Sequence, residues 1–151
     1  MEVDFMKIAL LEAQKAYNAN EVPVGAIIVK DNKIIGRGYN LKEENADPTC
    51  HAEIIAIKEA CKTLNSWRLN NCSMYVTLEP CPMCAGAIVQ SRISNLYIGT
   101  FDDRSGACGS VINVVQNDNL NHWVNVIWTY NKDCSKILET FFKKKRGFKN
   151  G

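Results

Sequence analysis

Apolar periodicity in this chain switches repeatedly between the helical and the strand repeat, and that alternation limits the folds open to it. Val3, Met6, Leu10, Ala13 and Tyr17 recur at helical spacing, so an amphipathic helix is expected over residues 2–17. Two β-rich runs follow, residues 22–29 and 33–39, separated by the turn residues Asp31 and Asn32, which makes a hairpin the economical reading. Pro48 and Thr49 prepare a helix over residues 51–64, mostly buried on one side through Ile54, Ile55, Ile57, Ala60 and Cys61. Residues 73–78 read as a buried strand, 81–91 as a helix that tolerates Pro82 in its first turn, and 95–100 as a strand. After a Gly-containing loop over 101–109, a short helical piece is expected near 110–115, then a strand over 124–130 and a last helix over 132–146. The order αββαβαβ(α)βα implies an α/β protein, a mixed sheet with helices on both faces.

At 151 residues the chain is of single-domain size, and no repeat, low-complexity stretch or linker divides residues 1–151. With 46% apolar and 23% charged residues it is neither disordered nor fibrous. No apolar run approaches the roughly 20 residues of a membrane span. Glu2 and Asp4 make the first residues unlike a signal peptide, so no membrane association and a cytoplasmic location are expected.

The net charge of +2 is the sum of two unlike parts. Residues 140–151 hold five bases, Lys143, Lys144, Lys145, Arg146 and Lys149, and no acid, leaving 13 basic against 16 acidic residues upstream, a net of −3. Phe141, Phe142 and Phe148 lie among those charges, a mixture of stacking surface and cation that single-stranded nucleic acid can use. A solvated last helix is the plainer reading of the same residues.

Seven cysteines, an odd number, argue against a disulfide framework. Only Cys81 and Cys84 stand at C-x-x-C spacing, which suits either a shared ligand or a redox pair. Upstream, His51-Ala52-Glu53 opens another helix. A redox pair has no use for a His-x-Glu, whereas a catalytic zinc wants three protein ligands and an open position, which His51, Cys81 and Cys84 supply. Glu53 is the natural proton carrier, and both it and His51 can face the metal only if the chain is still turning into its helix at His51. Zinc with two thiolates has little net charge, and two helix N-termini at the site would compensate by favouring anions there. His-x-Glu followed by Pro-Cys-x-x-Cys is the signature of the zinc base deaminases.

Around that signature the chain resembles the bacterial tRNA-specific adenosine deaminases. The resemblance is carried by Glu21-Val22-Pro23-Val24-Gly25-Ala26, by Asp47-Pro48-Thr49-Cys50-His51-Ala52-Glu53, and by the run from Tyr75 through Leu78-Glu79-Pro80-Cys81-Pro82-Met83-Cys84 to Ala87. Ser91-Arg92-Ile93, Gly106-Ala107-Cys108-Gly109-Ser110, Asn121-His122 and Phe141-Phe142 with Arg146 extend it nearly end to end. Cys50 departs from the family's common alanine, and Phe101 stands where a polar or basic residue is frequent.

The resemblance implies a three-layer α/β/α cytidine-deaminase-like fold with a five-stranded mixed sheet, one Zn2+ per subunit, and a homodimer acting on a tRNA anticodon stem-loop. The implied reaction is hydrolysis of the wobble adenosine to inosine, with Glu53 passing a proton from water to N1 while C6 is attacked. It implies Asn40 as reader of the base edge, Val24, Leu78 and Pro80 with backbone near Ala52 as the base slot, and Asp102, Asp103, Arg104, Asn121, Phe141, Phe142 and Arg146 as holders of flanking nucleotides. A deaminase of a free base or nucleoside such as guanine or cytosine is the alternative, and a zinc-stabilised RNA-binding module a third reading. The basic aromatic tail speaks against the second, and Glu53 beside a three-ligand metal against the third.

Overall fold

The computed structural model describes residues 2–150, with side chains as far as residue 147. Met1, Gly151 and the Phe148 and Lys149 side chains of the basic tail lie outside the described residues.

Helix α1, Phe5–Asn18, begins later than its apolar spacing suggests, because Asp4 caps it by accepting from the Lys7 amide at 3.2 Å. Strands β1 (Gly25–Lys30) and β2 (Lys33–Tyr39) form the expected antiparallel hairpin. Asp31 and Asn32, with φ of 51° and 62°, supply the left-handed pair that a tight hairpin turn requires. Helix α2 (Ala52–Leu64), strand β3 (Ser73–Leu78), helix α3 (Pro82–Gln90) and strand β4 (Asn95–Thr100) follow as two αβ units. Strand β5 (Asn125–Trp128) and the long helix α4 (Lys132–Asn150) complete the chain.

The sheet order is β2-β1-β3-β4-β5, with β1 antiparallel to both neighbours and β3, β4 and β5 parallel. Alternate residues of β1 serve opposite faces: Ala26 and Ile28 join the core under α2 and α3, while Ile27 and Val29 join the core under α1. This is the three-layer α/β/α, cytidine-deaminase-like arrangement with a five-stranded mixed sheet.

The short helix expected near residues 110–115 is absent. The segment is irregular, with an isolated bridge between Cys108 and Asn113. Its amides are engaged elsewhere: those of Cys108 and Ser110 donate to the Glu79 carboxylate, and that of Val114 donates to the Ala107 carbonyl. A helical ladder cannot form from donors already spent, so tertiary bonding overrides the local periodicity.

Candidate active site

Two helices start at one place. His51 is the N-cap residue of α2 and Cys81 that of α3, and neither side chain caps its own helix. Both are thereby free to point at a common centre. His51 is extended, with φ −82° and ψ 153°, the departure from helix needed for His51 and Glu53 to face the same way. Its ring Nδ1 lies 3.6 Å from Cys81 Sγ and 3.5 Å from Cys84 Sγ. The three ligand atoms all lie within 4.8 Å of one another. Tetrahedral zinc, with bonds of about 2.0–2.1 Å to nitrogen and 2.3 Å to sulfur, sets such edges at about 3.6 Å, so the donor set and its spacing fit that ion.

The electrostatics agree. The Cys84 thiol donates toward Cys81, and the His51 ring adds a second donor, holding Cys81 down at about 4. The same hydrogen bond, with burial, pushes Cys84 up: the two sulfurs share one proton, an arrangement that a cation readily replaces. His51 is raised, chiefly by its bond to Cys81.

Glu53, in the first turn of α2, is 4% exposed. Burial lifts its carboxyl to about 7, against an opposing hydrogen bond from its own backbone N–H. A carboxyl that titrates near neutrality beside a metal-type cluster is equipped to take up and return a proton.

One pocket of about 230 Å³ opens onto this cluster. Of the residues singled out by sequence, it brings together His51, Glu53, Cys81, Asn40, Val24, Leu78, Asp102 and Phe141. Cys84 is buried beneath them. Ala52 is buried, with its amide held by Asn40 Oδ1 at 2.9 Å, and Pro80 is buried, with its carbonyl accepting from the Ala107 amide. Asn40 Nδ2 also donates to the Val22 carbonyl at 3.0 Å, so half of this amide's bonding capacity is structural. Asp102 turns inward on its own loop, accepting from the amides of Arg104 and Ser105 and from the Ser105 hydroxyl.

Asp103, Arg104, Asn121, Phe142 and Arg146 are exposed and do not line the pocket. Phe141 is 4% exposed and packs edge-on to Tyr17 and Phe142, with ring centroids at 6.0 and 5.4 Å. The tail cation that reaches the mouth is Lys145, whose Nζ lies 5.2 Å above the Phe141 ring. The sequence names Lys145 only as one of the five tail bases, and gives no role to Glu21 and Glu79, two buried acids that line the pocket and bind backbone amides of neighbouring loops. The seven cysteines are all free thiols.

The family model of the MafB19-like deaminases matches residues 2–146. A tRNA-specific adenosine deaminase of Aquifex aeolicus is 49% identical over 144 residues, covering 94% of each chain. A structure solved in studies of A-to-I editing by tRNA:A34 deaminases at the wobble position of transfer RNA superimposes with a TM-score of 0.85 at 41% identity, over 89% of this chain and 98% of that one. A Bacillus subtilis guanine deaminase structure, also 41% identical, matches over only 67% of this chain and 66% of its own, with a TM-score of 0.63. A family model that matches nearly the whole chain, and likeness at 41–49% identity that runs nearly end to end with the tRNA enzymes, make this chain a member of the tRNA-specific adenosine deaminases within the MafB19-like deaminase family.

Proposed function

We propose that this chain deaminates the wobble adenosine of a tRNA anticodon to inosine, consuming one water and releasing ammonia. The observation that carries the reading is Glu53, a buried carboxyl near neutrality, set beside a His-Cys-Cys cluster of tetrahedral spacing in a pocket that opens on both. His51 Nδ1, Cys81 Sγ and Cys84 Sγ would hold Zn2+, which supplies a water activated for attack on C6 of the base. Glu53 takes a proton from that water and delivers one to N1 of adenine. The same carboxyl then takes the proton of the new C6 hydroxyl and gives it to the departing amine, so C6=O forms as the C6–N bond breaks and a single group serves as base and acid in turn. Val24 and Leu78 give the base an apolar slot, with Ala52 and Pro80 behind it. Asn40 retains one N–H and one lone pair to read the base edge.

Flanking nucleotides, splayed from a single-stranded loop, would run over Asp102, Asp103 and Arg104 on one side and Asn121, Phe142 and Arg146 beyond them. Exposed apolar side chains support a homodimer. Val111 and Ile112 are 52% and 48% exposed beside a groove lined by Phe101 and Tyr130, a surface that a second copy would cover. No helix among the described residues is long and apolar enough to cross a membrane, and the reading places the enzyme with tRNA in the cytoplasm.

An anticodon stem-loop with adenosine at the wobble position, incubated with the zinc-loaded protein, is expected to yield inosine by mass spectrometry of the nucleosides. Free guanine, cytosine and adenosine run alongside as controls. Turnover of free guanine without turnover of the stem-loop overturns the reading.

A further inference from the structure

Glu79 sits between the end of β3 and Cys81 and is 2% exposed. Its carboxylate accepts four hydrogen bonds from one loop: the amides of Asp102 at 3.0 Å, Cys108 at 2.9 Å and Ser110 at 3.1 Å, and the Ser110 hydroxyl. No lysine or arginine among the described residues pairs with it. A buried carboxylate without a cation depends on such donors, and the loop supplies all of them. Gly106 lets the loop close this far, since a Cβ there would overlap the Glu79 carboxyl carbon and the Asp102 carbonyl oxygen.

The backbone is stitched in the same place. The Glu79 amide donates to Thr100 and the Ala107 amide to Pro80, each at 2.9 Å. The segment carrying Cys81 and the loop carrying Asp102 and Ser105 into the pocket are therefore one bonded unit. From this we infer that Glu79 is a positioning residue: it holds the 102–110 loop where Asp102 and Ser105 line the pocket, and so governs how tightly the RNA around the target base is gripped. The inference rests on the tRNA deaminase reading for its substrate, while its geometry stands without one.

Glu79→Gln tests it. The substituent keeps the shape, but its NH2 must face at least one amide that also donates. Expected are full zinc content and amide exchange at Asp102, Cys108 and Ser110 faster by about tenfold or more, with the β-strand amides unchanged. The KM for the stem-loop should rise by about tenfold while kcat stays within about threefold. Ser110→Ala, which removes one donor, should give the same pattern more weakly, and the double variant should fall short of additivity. Unchanged loop exchange and KM in both variants overturn the proposal, as does a loss of zinc and kcat with KM unmoved. Should the wild type deaminate no RNA, the substrate reading fails, and the exchange data still decide the role of Glu79.

Discussion

Asn40, one residue past β2, accepts the Ala52 amide at 2.9 Å and so caps α2 from outside, a task the N-cap residue His51 does not perform. Its ring is left to the cluster with Cys81 and Cys84. In Asn40→Ala the Ala52 amide loses its partner and the Val22 carbonyl keeps only the Val24 amide, so stability should fall by about 1–3 kcal/mol in urea denaturation. Metal affinity should fall with it, because the first turn of α2 carries Glu53 and follows directly on His51. Asn40→Asp keeps the Ala52 bond but sets an oxygen against Val22, and should regain only part of both losses. Wild-type stability in the alanine variant would refute the cap.

Glu53 links catalysis to a stability cost of known sign. Its carboxyl moves from an ordinary value of 4.5 to about 7 on folding, chiefly through burial. Between those values the folded state keeps a proton that the unfolded chain has released, so stability falls as pH rises from about 4.5 to about 7 and then levels. Glu53→Gln removes that loss. The metal-free variant should exceed the wild type by about 3 kcal/mol near pH 8 and match it near pH 4, measured by urea denaturation in the presence of a chelator. Its turnover should drop by at least about 10²-fold with zinc retained. A stability difference independent of pH would sink the argument.

Gly38 sets how closely α2 approaches the sheet. A Cβ at this position would meet the Ala52 carbonyl oxygen and come within 2.8 Å of the Ala56 amide nitrogen, both backbone atoms of α2. Gly38→Ala must therefore lift the helix end that carries Glu53. A loss of about 1–3 kcal/mol is expected, together with weaker zinc retention in a chelator competition. A variant that retains zinc as the wild type does would show that α2 can shift without disturbing His51.

The contrast between strands and connections shows what local pattern can reveal. Residues 73–78 and 95–100 are short apolar runs, and β3 and β4 occupy those very spans. Val111, Ile112, Val114 and Val115 carry a helical spacing of the same strength, but their segment is shaped by Glu79, a residue on another element. His51, Glu53, Cys81 and Cys84 were legible because metal chemistry demands fixed residue types at short spacing. Glu21 and Glu79 were not, since nothing in a local window distinguishes an acid that will bind backbone amides in the interior from one that will face water. The basic tail was legible as charge, but which of its residues would reach the pocket depended on how α4 crosses α1.

That crossing divides the tail into two kinds of residue and allows them to be tested apart. Phe141 is buried against Tyr17, whereas Lys145 stands at the pocket mouth and Lys144 Nζ lies 5.7 Å over the Tyr17 ring. Deleting the tail would remove both kinds together and confuse RNA binding with folding. Phe141→Ala should cost about 3 kcal/mol of stability, as for other buried aromatic rings. Lys145→Gln should leave stability within about 1 kcal/mol, because it loses an exposed charge and one solvent-facing contact with the Phe141 ring. Its effect should appear in the salt dependence of stem-loop binding: the slope of log K against log salt should shrink by about 0.7, the value for one phosphate contact on a single strand. Arg146→Gln provides the comparison, since Arg146 is exposed outside the pocket, where the proposed path of the flanking nucleotides continues, and should shrink the slope as well. A slope that changes for Arg146→Gln and not for Lys145→Gln would place the phosphate path away from the mouth observed here.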